Sequence, residues 1–136
     1  FSAAQVPAHW QSARAGGIHQ GIDHSALSVA DANRSVEFYQ SLGLAVSNRT
    51  VNQGAQQEQL DGVHNAVVDV ISLAPSRPTP HVELLHYRSR SRPAHAELMG
   101  NDTAAIRLIF ATEQSPAAAC DRLLRDPDGH LLQITR

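Results

Sequence analysis

The chain has 136 residues, enough for one domain with its own core and no disulfide support. A net charge of −2, with 18% charged and 42% hydrophobic residues, offers no electrostatic case for nucleic acid or an anionic membrane. All eleven basic residues are arginine, which excludes lysine Schiff-base chemistry and phosphate binding by a P-loop lysine. The single cysteine, Cys120, excludes an intrachain disulfide and a multi-cysteine zinc knuckle, and its alanine-rich surroundings read as a small buried hydrophobe.

Residues 1–20 hold no sustained period and contain Pro7 and Gly16-Gly17; they read as an arm that packs through Trp10 on the domain or on a partner. The chain starts at Phe1, which implies that something has been removed upstream. Regular structure begins with GIDHSALSVAD, where Ile22, His24, Ala26 and Ser28 alternate with Asp23, Ser25, Leu27 and Val29 as in a two-faced strand. Asp31 suits an N-cap, and ANRSVEFYQSLGL predicts a helix with Val36, Tyr39 and Leu42 on one side and Gly43 closing it. A strand over 45–52 follows, then NQGAQQEQLDG as a polar loop, then strands over 65–73 and 81–88. In the last of these, His81, Glu83, Leu85 and Tyr87 share a face and His86 takes the other.

Residues 89–103 read as a linker whose arginines form a solvated face. From 104 the order starts again: RLIFATEQ lies against HSALSVAD, and SPAAAC offers Ser115 as N-cap and Pro116 at the first helical position. DRLLRDPDGHLLQITR then reads as strand, turn and strand, with Gln133 in phase with Leu131 and Thr135 and out of phase with Leu132 and Ile134. His130, just after the turn, is expected to be exposed. A second copy of the first unit needs roughly twenty more residues between Cys120 and Asp121. Either that unit is trimmed or residues are missing at the junction; missing residues are the favoured reading. A Cα separation near ~3.8 Å there would refute it.

The stretches GIDHSALSVADANRSVEFYQSLGL, HVELL and RDPDGHLLQI resemble the vicinal oxygen chelate superfamily, which includes glyoxalase I, bleomycin-resistance proteins, methylmalonyl-CoA epimerase and extradiol dioxygenases. The resemblance implies an α+β fold of paired βαβββ modules around an open, barrel-like cleft. The first module would span 21–88 and the second, incomplete near 120–121, would span 104–136. It also implies a divalent metal (Zn, Ni, Mn or Fe), with His24 and Glu83 as ligands from the first module. At the matching positions of the second module stand Arg107 and Gln133, so the implied ligand set is His24, Glu83 and Gln133. The resemblance implies a homodimer that binds a small molecule; charge and the lack of a long apolar run predict no nucleic acid or membrane partner, and the cytoplasm is the expected compartment.

Arg107 works against the metal. A guanidinium has no lone pair to donate and stays protonated. At about 5 Å from a divalent ion and an effective dielectric near ~20, it would repel the ion by roughly 6–7 kcal/mol. It can instead pair with Glu83, offer its charge to a substrate carboxylate, or turn away. A one-residue slip in register would place Ile106 there.

Glu83 doubles as candidate base, and His81 and Tyr87 are candidate substrate contacts. Each ligand candidate has a plainer reading: His24 as a hydrogen-bonded core histidine, Glu83 paired with Arg107 in place of a metal, and Gln133 satisfying neighbouring backbone groups. Iron and oxygen chemistry usually wants two imidazoles and a carboxylate, and with one imidazole in the implied set it is disfavoured. Two functions remain open. One is metal-assisted isomerase, epimerase or lyase chemistry on an oxygenated small molecule. The other is metal-free sequestration of a ligand, as in bleomycin resistance.

Overall fold

The computed structural model describes residues 22–76, 80–88, 106–111 and 122–135. The elements are β1 (His24–Ser28), α1 (Ala32–Ser41), β2 (Ala45–Gln53), α2 (Ala55–Asp61), β3 (Val67–Ala74), β4 (His81–Tyr87), β5 (Arg107–Ala111), β6 (Arg122–Arg125) and β7 (Leu131–Thr135). The arm with Trp10, the linker at 89–103, the helix expected from Ser115 and the Cys120–Asp121 junction lie outside the described residues.

α1 starts and stops for local reasons. Asp31 is extended, and its carboxylate accepts hydrogen bonds from the amides of Asn33 and Arg34 at 3.0 Å each. That satisfies two of the donors a helix leaves unpaired at its N-terminus. At the other end Gly43 takes φ +94° and donates to the Gln40 carbonyl, while Leu44 donates to the Tyr39 carbonyl. This pair of reverse bonds is the Schellman closure, which favours glycine because a Cβ is strained at positive φ.

Two sheets follow. Sheet A has the order β1-β4-β3-β2, and sheet B the order β5-β7-β6. β1 runs parallel to β4, and β5 runs parallel to β7; the remaining pairs are antiparallel. Sheet A with α1 is a βαβββ module, and sheet B repeats its parallel first-to-last strand pairing on a smaller scale.

Alternation decides which side of each strand is dry. Leu27, Ile71, Leu73, Val82 and Leu84 of sheet A are at most 5% exposed and pack beneath Val36 and Tyr39 of α1. Leu132 of sheet B is fully buried in this same cluster, with Leu108, Phe110 and Leu124 against its margin. The two sheets therefore share one core, and their opposite faces both look away from it.

The Gln-rich segment is a finding against expectation. It forms α2, not a loop, between Gly54 and Gly62, the latter in the left-handed conformation at φ 65°. Ala, Gln, Glu and Leu are good helix formers. Gln57 donates to Asp61 one turn on at 2.7 Å, and His64 folds back to Glu58 at 3.1 Å. No residue of α2 is buried, so the apolar period that marks a helix is missing from its sequence. Among the described residues no helix is long and apolar enough to cross a membrane.

Candidate metal and ligand site

β1 and β4 pair with His24 opposite His81 and Ala26 opposite Glu83, and β3 places Ser72 opposite Glu83. With Leu27, Val82 and Leu84 committed to the core, the strand period turns His24, Ala26, His81 and Glu83 to the open face. Ala26 and Ser28 keep that face low and exposed beside the larger side chains.

The Glu83 carboxylate lies between two imidazoles. Its Oε2 is 3.5 Å from His24 Nε2, and its Oε1 is 3.4 Å from His81 Nε2. The Ser72 hydroxyl donates to Oε1 at 3.1 Å, which fixes the plane of the carboxylate. The two imidazole rings stand 5.3 Å apart, centroid to centroid. On the outer side, His24 Nδ1 meets the Asp23 carboxylate at 2.9 Å.

This donor set fits a divalent ion. Two donors bound to one ion at about 2.0–2.1 Å sit about 2.9–3.4 Å apart, depending on the bond angle. The observed separations, 3.4 and 3.5 Å, are within a small contraction of that range. Donor atoms of Asp23, His24 and His81 also lie within 4.8 Å of one another. Asp23, however, engages the Nδ1 side of His24, the usual position of an orienting carboxylate that leaves Nε2 for the metal. Glu83 lies on the Nε2 side of both rings, with a different oxygen toward each.

His81, expected as a spare candidate and substrate contact at the cleft edge, thus stands with His24 and Glu83. The second imidazole missing from the sequence reading is beside the first. Tyr87 lies four positions along β4 from Glu83. Burial first, and the charge of Asp61 at the end of α2 second, raise its pKa.

Sheet B carries the other two candidates. Gln133 sits in β7 between Ile109 of β5 and Leu123 of β6, and makes no side-chain hydrogen bond among the described residues. Arg107 is exposed on β5 opposite Leu131. The pairing resolves the register in favour of Arg107. Leu131 donates its amide to the Ile106 carbonyl at 3.1 Å, just as His81 donates to the Asp23 carbonyl at 3.0 Å. Glu83's partners among the described residues are His24, His81 and Ser72, so the anticipated pairing of Arg107 with Glu83 is not formed there.

His130 differs from expectation. Its side chain is 14% exposed and bonds Asp126 at 2.8 Å, because the turn folds the Asp126 carboxylate back over it. Asp126 also accepts from the His130 and Asp128 amides and from the Tyr39 hydroxyl. His86 lies on the core side of sheet A, as its phase predicts, and bonds Asp69 at 3.2 Å. A recess of about 630 Å³ opens there, lined by Asp31, Arg49, Asp69 and His86 among others. Its two carboxylates are already occupied: Asp31 caps α1, and Arg88 and then His86 hold the pKa of Asp69 down to about 2. The recess lacks the open convergent donors of the Glu83 face.

The family model of the Glyoxalase/Bleomycin resistance protein/Dioxygenase superfamily matches residues 21–126. Among solved structures, the glyoxalase family protein APC24694 of Bacillus cereus aligns over 90% of this chain and 97% of its own, at 15% identity and TM-score 0.72. The trypanothione-dependent glyoxalase I of Leishmania major aligns over 85% and 86%, at 16% identity and TM-score 0.57. The protein SMU.1112c aligns over 85% and 98%, at 18% identity and TM-score 0.55. No curated protein matches the chain. The structural neighbours, at such low identity, establish the fold, and the family match extends over most of the sequence: the chain belongs to the glyoxalase, bleomycin-resistance protein and dioxygenase superfamily.

Proposed function

We propose that this chain is a glyoxalase-type enzyme that binds a divalent metal through His24, His81 and Glu83 and acts on an oxygenated small molecule. The reaction class is isomerisation, epimerisation or lyase chemistry. The observation that carries the reading is the Glu83 carboxylate held between two Nε2 atoms at 3.5 and 3.4 Å. Gln133, on the corresponding strand of sheet B, is the proposed fourth protein donor.

When bound, such an ion supplies Lewis acidity to adjacent substrate oxygens. The chain's own groups do the rest. Asp23 orients His24, and Ser72 holds Oε1 of Glu83, so that Oε2, beside His24, is the oxygen that serves as proton acceptor. The donor set is two imidazoles and a carboxylate, so the ground for disfavouring oxygen chemistry, a missing second imidazole, falls away.

Metal analysis of the purified, metal-supplemented protein tests this. Stoichiometric metal that is lost in both His24→Ala and His81→Ala supports the reading. A metal-free wild type points to the second reading, a binding protein of the bleomycin-resistance kind. That alternative is favoured by Arg107, a fixed cation at the position in sheet B that corresponds to His24. The homodimer that the resemblance implies is part of the proposal, and sedimentation equilibrium checks it.

A further inference from the structure

The recess of about 630 Å³ lies on the side of sheet A that carries α1, opposite the side of His24 and Glu83. Two rows of paired residues cross the sheet there: Arg49, Ile71 and Leu84, then Val51, Asp69 and His86. Ile71 and Leu84 belong to the core, which fixes the side, and the start of α1 with Asp31 makes one wall. Small-molecule sites commonly have volumes of about 300–1,000 Å³.

Arg49 reaches this side through an irregularity in β2. Val46 stands opposite Leu73 and Arg49 opposite Ile71, although residues three apart on an unbroken strand face opposite ways. Ser47 is the extra residue between them, and its hydroxyl donates to the Ser72 carbonyl at 3.2 Å. This bulge turns Arg49 onto the core side, the re-aiming that such insertions produce. The Arg49 side chain meets no carboxylate among the described residues.

Across the recess the groups are acceptors. Asp69, ionised and bonded by Arg88, can only accept, so His86 donates from Nδ1 and in the neutral ring presents a lone pair on Nε2. Asp31 takes both capping bonds on Oδ1, and its Oδ2 takes none among the described residues. Neither arrangement suits a metal, yet each leaves one acceptor for a hydrogen-bond donor. Asp31 follows β1, the neighbour of β4, which carries His86. β2, with Arg49, is two strand spacings from β4, about 9–10 Å. Cation and acceptors thus stand on opposite walls, with Ile71 of β3 between them.

We propose that this recess binds a small linear zwitterion, with its carboxylate on Arg49, its ammonium on Asp31 and His86, and an apolar body over Ile71. The guanidinium takes the carboxylate in a planar two-pronged contact. A simple anion would meet the charge of Asp31 and a simple cation that of Arg49, so a ligand carrying both charges fits better than either. The inference is independent of any metal on the other side of the sheet.

The test is an NMR titration of the isotope-labelled full chain with ε-aminohexanoate, following the amide signals of Arg49 and His86. Hexanoate, which lacks the ammonium, and hexylamine, which lacks the carboxylate, are titrated beside it. The zwitterion binds about tenfold or more tightly than either, the scale of one charge-assisted contact. Arg49→Gln removes its advantage over hexylamine. Asp31→Asn, which keeps a capping side chain, removes most of its advantage over hexanoate. His24→Ala leaves all three affinities in place. Three results overturn the proposal: no advantage in the wild type, including no measurable binding; an advantage that survives either recess substitution at full size; or one abolished by His24→Ala, which would put the ligand on the other side of the sheet. If the wild type binds no metal yet the advantage behaves as stated, the metalloenzyme reading fails and this site stands.

Discussion

Tyr39 and Asp126, 87 residues apart, meet in a 2.9 Å hydrogen bond from hydroxyl to carboxylate, with neither side chain reachable by water. The contact joins α1 to the turn that precedes β7. Asp128 adds two more links across the same seam, accepting from the Ala30 amide at 2.9 Å and the Ser35 hydroxyl at 3.1 Å. The acidic turn of the last hairpin is therefore a clasp between the two halves of the chain.

Replacing Tyr39 with Phe removes one donor from a buried carboxylate and leaves the packing volume almost unchanged. The expected loss is about 1.5–3 kcal/mol, the range for a hydrogen bond to a charged group. Urea unfolding measures it. A midpoint equal to wild type would show that the remaining donors on Asp126 suffice.

Stability should fall on both sides of mildly acidic pH. His130 has its pKa raised, chiefly by the hydrogen bond to Asp126 and against its own burial. Its contribution is fully present below its unfolded value of about 6.5, and is lost as pH climbs through the higher folded value. Burial pushes Asp126 upward, but bonds from His130 and Tyr39 outweigh it, so the folded pKa is lowered. That contribution is present above about 3.9 and is lost as pH falls through the lower folded value. Urea midpoints at about pH 5.5 and 8.5 should differ more in wild type than in His130→Gln, which cannot titrate. Equal differences would remove His130 from the account.

Asp23→Asn should weaken metal binding by roughly 10–100-fold without abolishing it, as expected for a group that orients a ligand. His24→Ala and His81→Ala should each cost more. Competition with a chromophoric chelator reads all three. If Asp23→Asn matched the histidine variants, Asp23 would be a direct donor, as its place within 4.8 Å of both imidazole donors permits.

Leu132→Ala probes the joint core. Leu132 is 0% exposed and belongs to the cluster built from sheet A and α1. Deleting a buried leucine side chain typically costs about 2–5 kcal/mol, including the cavity left behind. A loss in that range, with one cooperative transition, marks the two sheets as one folding unit. Two separate transitions would mark them as independent.

Much of this was legible in the residues. Alternation placed Leu27, Val82, Leu84 and Leu132 inward and His24, Glu83 and Gln133 outward, because a strand's period of two leaves no third choice once one side is dry. Asp31 and Gly43 bounded α1 through chemistry confined to a few neighbouring residues. α2 escaped because a helix that buries nothing shows no apolar stripe, although its composition and its two flanking glycines were in view.

The sequence by itself determined the strands, the capped helix, the face each candidate side chain takes and the likeness to a superfamily, since each depends on local sterics or a short period. Tertiary structure alone decided which side chains meet. His81 stands by His24 only because β1 and β4 pair in parallel at that register, and Arg107, already matched to His24 in the sequence, stands opposite Leu131 only because β5 and β7 pair as they do. His130 is enclosed only because Asp126 is held from across the chain by Tyr39. Register and long-range contact arise from packing between segments far apart in the chain, and no stretch of residues carries that information alone.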